Sequence, residues 1–342
     1  MEGSDNGVAR RTVLMSAGVG IDAGLVAGLS AAHAEGAGAA DIWSQEYWAS
    51  KGGTKLNLWR KRVGAPKSGE KPRPVLFMVH GSSFSTRVSY DMQIPGNVEY
   101  SAMNLFARAG YDVWTMDHDG YGYSESSGNN SDIASGVADL KAAIPVVVKE
   151  SGQQKMHFYG PSSGSIRAGA YAMVEPERVD RLVLAAFTYK GKDSVEMDRR
   201  RKRIDELRAK PRRKRDADMI RSVYTRDGHA EAYDPALIEA IVAAEMKHGD
   251  SIPSGTYLDM AVNLPLVDPT KVKAPVLMLR GEHDGNSTND DLLDFYRQLP
   301  NGDRQFVILP QTAHSLGYSK NRHLLWYAVQ NFLGAPPPIA AS

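Results

Sequence analysis

Three side chains, a serine, an aspartate and a histidine, stand where nucleophilic chemistry would need them. Ser162 is the centre of Gly160-Pro161-Ser162-Ser163-Gly164, a G-x-S-x-G pattern that follows a short apolar run and leads into an Ala/Gly-rich helical stretch. A turn sharp enough to lift a serine hydroxyl off the end of a strand crowds its neighbours, and glycine is the residue that tolerates this. Ser163 is the competing hydroxyl, but it lies off the centre of the glycine frame. A serine hydroxyl is a weak nucleophile at neutral pH, so a base and an acid that orients it must lie elsewhere. PVLMLRGEHD ends in Asp284 and FVILPQTAHS brings His314, each just beyond an apolar run. Glu282, two residues before Asp284, is the alternative acid. For His314 the plain alternative is a loop histidine that bonds to nothing in particular.

These residues need a scaffold that brings strand ends together, and the hydrophobic pattern predicts one. KLNLWRKR (55–62) alternates as a half-exposed strand would, while PVLFMV (74–79) reads as fully buried. Further strands are expected at 112–116, 156–159, 181–186, 275–280 and 304–309, with helices around 98–109 and 133–150 between them. Buried strands separated by helices imply an α/β fold with a mostly parallel sheet covered on both faces. Asp284 and His314 then fall at the carboxyl ends of successive strands, the edge where Ser162 also lies. From Phe187 to about Val262 the alternation stops. The stretch there is charged and helical in pattern, and we read it as a helical cap over the sheet. Pro211 is expected to break it between two helices.

The order Ser162, Asp284, His314 resembles that of the α/β hydrolases, and two further motifs carry the resemblance. His80-Gly81-Ser82-Ser83, after a buried strand, resembles that superfamily's oxyanion loop. DHDGYGYSESS from Asp117 resembles its D-x-R-G-x-G-x-S turn, with Asp119 where arginine is usual. The likeness covers about residues 55–333 and implies an α/β-hydrolase core at 35–187 and 263–342, with the cap inserted at 188–262. It implies a serine hydrolase that cleaves a carboxylic ester or lactone through an acyl-enzyme on Ser162, with His314 as base and Asp284 as orienting acid. The main-chain N–H groups of Ser82 and Ser163 would hold the oxyanion. His80 is expected to hold the loop rather than react. Amide or peptide cleavage and perhydrolysis use the same three residues and remain alternatives, as does a non-catalytic binding protein of this fold.

Composition narrows the reading. The chain has 342 residues, 42% of them hydrophobic, enough for one α/β domain with an insertion, and no cysteine, which excludes disulfides and thiolate chemistry. No metal or organic cofactor is expected, because Glu282-His283-Asp284 lacks the helical histidine spacing of a zinc site. Net charge is +1, giving no reason to expect nucleic acid, yet residues 199–215 hold eleven Lys or Arg against two acidic residues. Most of those basic side chains are expected to face solvent, since Ile204 and Leu207 would point at the sheet. Residues 1–34 carry Arg10-Arg11, a weakly apolar run and Ala32-His33-Ala34, which resembles a twin-arginine export signal cleaved after Ala34. A periplasmic or secreted protein is therefore expected, with a cytoplasmic one the alternative. A membrane anchor is not, because the run is glycine-rich and contains Asp22. The expected partner is a small-molecule ester.

Overall fold

The computed structural model describes residues 41–94 and 99–338. The proposed export signal therefore lies outside the described residues. The main sheet is built from β1 (Ile42–Lys51), β2 (Thr54–Val63), β3 (Val75–Val79), β4 (Asp112–Met116), β5 (Met156–Pro161) and β6 (Val179–Ala185), completed by two later strands. Between them, β7 (Arg212–Lys214) and β8 (Ser251–Pro253) form a separate antiparallel pair, and β9 (Val276–Gly281) and β10 (Arg304–Leu309) return to the sheet. Its order is β1-β2-β4-β3-β5-β6-β9-β10, with β1–β2 and β2–β4 antiparallel and the remaining pairs parallel. β1 is an edge strand that the hydrophobic pattern did not reveal.

β3 shows why the sheet must be covered twice. Val75, Phe77 and Val79 point into one apolar cluster while Leu76 and Met78 point into another. Thr86–Tyr90 and Ala102–Arg108 form helices α1 and α2, Ile133–Ser151 forms α3, and Ser163–Val174 forms α4. α3 and α4 close the first cluster through Leu140, Ile144, Ile166 and Tyr171. α2 helps close the second through Met103 and Phe106. The Asp132 carboxylate accepts from Ser135 N–H to start α3, and Gly152 at a φ of 73° ends it, an ordinary pairing of N-cap and left-handed C-cap.

Register decides where the chemistry can be. Pro161 pairs with Ala185, Ala185 with Leu279, and Gly281 with Leu309, so β5 and β6 end together and β9 and β10 end together two residues further on, at the same edge. The loops that follow β5, β9 and β10 therefore meet at one edge.

Over that edge lies the insertion between β6 and β9. It contains α5 (Val195–Arg201), α6 (Ile204–Ala209), α7 (Ala217–Thr225), α8 (Pro235–Glu245) and α9 (Gly255–Val262). After it come α10 (Asn289–Gln298) and α11 (Arg322–Leu333), which pack on opposite faces of the sheet. Pro211 leads into β7 rather than dividing two helices directly. Pairing of Arg213 with Ile252 across the chain makes that strand, a contact no local pattern encodes. The insertion's apolar side, Ile220, Val223, Tyr224, Leu237 and Ile241, packs on Phe84, Val88 and Ala313 of the core.

A buried polar latch fixes the same junction. Ser85 donates its N–H and its hydroxyl to Glu245 Oε1 at 2.6 and 2.7 Å, and Arg215 donates to Oε2 at 2.7 Å. Glu245→Ala would leave the Arg215 guanidinium buried without its carboxylate, so a loss of about 3–5 kcal/mol of stability is expected. The measurement is a urea titration, in which the midpoint should fall at an unchanged slope. A midpoint equal to that of the wild type would mean the latch holds nothing.

Candidate active site

Ser162 sits between β5 and α4 with φ 56° and ψ −128°, a left-handed conformation that is strained for a residue with a side chain. Its glycine neighbours are required by close approach. A Cβ on Gly160 would run into the Gly164 carbonyl, and one on Gly164 into the Val79 carbonyl at the end of β3. The strain holds the Ser162 hydroxyl above the sheet edge, where it meets the loops from β9 and β10.

There the Ser162 hydroxyl donates to His314 Nε2 at 2.9 Å, and His314 Nδ1–H donates to Asp284 Oδ1 at 2.9 Å. Asp284 is fully buried and also accepts from Asn286 N–H at 2.9 Å. Burial alone would raise its pKa, but the His314 imidazole and the Asn286 N–H hold it below the usual carboxylate range. An ionised acceptor on Nδ1 fixes the tautomer and leaves the Nε2 lone pair facing the serine. Glu282 is not part of this chain: it is half exposed and accepts from Gln311 N–H at 2.8 Å.

The loop His80–Ser83 packs directly on this turn, with a Cβ built on Gly81 only 3.3 Å from the Pro161 carbonyl oxygen. Thr256 donates to Ser82 Oγ at 2.8 Å, and the Ser82 hydroxyl in turn bonds Ser163 Oγ at 2.5 Å. The two hydroxyls thus tie together the residues whose N–H groups the sequence nominates. Among the described residues no acceptor takes either main-chain N–H. Ser163 itself is buried and points at Ser82.

His80 lies beneath this loop. Its Nε2 accepts from His118 N–H at 3.0 Å, so its Nδ1 carries the proton and donates to the Gly81 carbonyl at 2.7 Å. Burial, with His118 and Arg167 nearby, pushes its pKa well below the usual histidine value, so it stays neutral. Asp119 also finds a cation, although not from its own turn: Lys51 of β1 reaches Asp119 at 3.1 Å and Asp139 at 2.5 Å. Among the described residues no cluster of three or more His, Asp or Glu side chains could hold a metal, and no helix is long and apolar enough to cross a membrane.

A pocket open to solvent lies beside Ser162 and His314. Tyr90, Tyr159, Leu316 and Trp326 make an apolar side, and Arg200, Arg226 and Tyr257 of the insertion make a polar one. Seven of the eleven basic side chains in residues 199–215 are exposed, as the sequence suggested, and four turn inward. Arg200 and Arg215 are buried, and Arg212 and Arg213 are half-buried. Asp227 was also missed: its Oδ2 accepts from His314 N–H at 3.0 Å and helps set the histidine loop. No sequence signal identified it, because its partner lies 87 positions away.

Residues 95–320 match the family described as serine aminopeptidase, S33. The chain belongs to this family. Among curated proteins, the S33 chain is 32% identical over 137 residues to the 2-hydroxy-6-oxononadienedioate/2-hydroxy-6-oxononatrienedioate hydrolase of Paraburkholderia phymatum. That match spans 39% of the chain and 41% of the relative. Solved structures agree over a much longer span. The 2-hydroxy-6-oxo-6-phenylhexa-2,4-dienoate hydrolase of Rhodococcus sp. strain RHA1 superposes with a TM-score of 0.62 at 17% identity, covering 86% of this chain and 100% of that one. The enol-lactonase of Burkholderia xenovorans LB400 gives 0.59 at 14% identity, covering 84% and 100%. The fold of this S33 protein is that of the α/β hydrolases.

Proposed function

We propose that the protein cleaves a carboxylic ester or lactone through an acyl-enzyme on Ser162. The observation that carries this reading is the unbroken hydrogen-bonded chain from Ser162 through His314 to Asp284, opening on a pocket. As Ser162 Oγ attacks the acyl carbon, His314 Nε2 takes its proton. The tetrahedral oxyanion is held by the Ser82 and Ser163 N–H groups, and the alcohol leaves with the proton that His314 returns. Water, deprotonated by the same imidazole, then releases the acid. Asp284 holds the imidazole in its tautomer and offsets the positive charge that forms on it.

The family's description raises peptide cleavage at an amino terminus as a second reading. Such a substrate brings an ammonium group near the scissile bond. The polar side of the pocket is formed by Arg200 and Arg226, and the nearby carboxylate, Glu196, is engaged by both. Like charges there favour the ester reading.

A fluorophosphonate probe tests it. Labelling is expected on the peptide that contains Ser162, together with a burst of p-nitrophenol from p-nitrophenyl esters. Absence of label on a folded protein, or label on Ser163, would remove the proposal.

A further inference from the structure

We infer that the ester carries a carboxylate, seated by Arg200 and Arg226 with Arg213 behind them; this rests on the ester reading above. Arg200 from α5 and Arg226 after α7 line the Ser162 pocket, with side chains only 5% and 14% exposed. Past them opens a second, solvent-open pocket, which shares Arg200, Val223, Arg226 and Tyr257 with the first and adds Arg203 and Arg213. Positive charge thus runs from beside the serine into the cap.

The charges in this wall are not balanced. Arg200 Nε reaches Glu196 Oε1 at 3.2 Å and Arg226 Nη1 reaches the same oxygen at 3.6 Å, so one carboxylate oxygen serves two guanidinium groups. Arg200 Nη1 has only the Met260 thioether, a weak acceptor, at 3.1 Å. Arg226 Nε, and Arg213 Nε and Nη2, are buried without a partner among the described residues. Arg62 and Arg167 elsewhere in the core also leave guanidinium nitrogens unpaired, but two other buried arginines are matched to a carboxylate. Arg60 grips Asp112 with two bonds of 2.8 and 2.6 Å, and Arg215 holds Glu245. Burying a cation without its counter-ion is costly, and a guanidinium fork matches a carboxylate in both shape and charge. A substrate carboxylate entering this wall would complete it.

Tyr257 reports the same field. The guanidinium carbons of Arg200 and Arg213 stand over its ring at 4.3 and 3.9 Å from the centroid. Burial would raise the phenol's pKa, yet Arg213, Arg200 and Arg226 together bring it down to about 7. The three guanidinium groups that crowd this ring thus set up a positive field that favours an anion. Asp227 and Asp284 also face Arg226, but both are engaged with His314.

The test compares esters matched in length that differ in charge: mono-p-nitrophenyl glutarate against p-nitrophenyl valerate, and 4-butyryloxybenzoate against phenyl butyrate. One anionic member is expected to exceed its neutral partner by about 10²-fold in kcat/KM, the scale of a charge-assisted bidentate contact. Arg226→Gln and Arg200→Gln should each cut that ratio by about tenfold, and Arg226→Lys should restore part of it. Thermal melts establish that each variant folds, and the half-buried Arg213→Gln supplies a milder change of the same sign. Equal rates for both members of both pairs, with Ser162 still labelled by fluorophosphonate, would overturn the carboxylate site and leave the ester reading intact. If no ester is cleaved and Ser162 is unlabelled, the ester reading fails instead. Calorimetry with glutarate on Ser162→Ala then decides the site separately: binding that Arg226→Gln abolishes supports it, and no heat of binding overturns it.

Discussion

Ser162→Ala is expected to lower kcat on an activated ester by about 10⁴–10⁶-fold, because serine, imidazole and carboxylate act as one unit and the loss of the nucleophile removes all that they supply together. The fold should not suffer. Ser162 donates its hydroxyl only to His314 Nε2, and alanine keeps the backbone that forms the turn. The φ of 56° remains a strained choice for alanine as for serine, so the melting temperature should stay close to that of the wild type. Residual activity should reflect the N–H groups of Ser82 and Ser163, which still hold an oxyanion when water attacks without help. Ser163→Ala is the informative companion. It removes the hydroxyl that bonds Ser82 but leaves the main-chain donor, and a loss of about tenfold is expected from one hydrogen bond. If Ser163→Ala were the inactive protein and Ser162→Ala the active one, the roles of the adjacent serines would be exchanged.

The central strands were legible in sequence because they are buried on both faces. VLFMV is an unbroken apolar run, and in DVWTM Val113, Trp114 and Met116 are apolar while Asp112 and Thr115 are buried with them, so neither strand has an exposed residue. Strand ends in turn located Ser162, Asp284 and His314, since a parallel sheet gathers the carboxyl ends of its strands at one edge. β1 escaped notice for the opposite reason. IWSQEYWASK is an edge strand with a single fully buried position, Ala49, and its pairing with β2 gives it order that its own pattern does not. β7 is three basic residues, and only Ser251–Pro253 opposite makes it a strand. The direction of the arginines was least legible. Arg199 and Arg201 face solvent while Arg200 between them is buried, and the groups that receive Arg200 are Glu196 on its own helix and Met260 and Tyr257 on another. A run of like charges does not encode which members turn inward; the packing of α5 on α9 decides it.

Asp284→Asn is expected to lower kcat by about 10⁴-fold, the usual cost of losing the carboxylate that orients a catalytic imidazole. Asp284 Oδ1 receives both His314 Nδ1–H and Asn286 N–H, so the carboxylate charge is held facing Nδ1. An asparagine amide in that place can present its NH₂ to Nδ1. The imidazole proton would then move to Nε2, which could no longer accept from Ser162, and the imidazolium formed during attack would lose its counter-charge. The defect should therefore appear in kcat with little change in KM, because Asp284 does not line the pocket. Fluorophosphonate labelling of Ser162 should slow in parallel, since it needs the same proton transfer. Glu282→Gln is the contrast. Its carboxylate accepts from Gln311 N–H on a half-exposed loop, and an amide oxygen can accept there too, so activity within about threefold of the wild type is expected. If Glu282→Gln proved the more damaging change, the acid would be Glu282, and the His314 loop would have to shift in solution to bring Nδ1 to it.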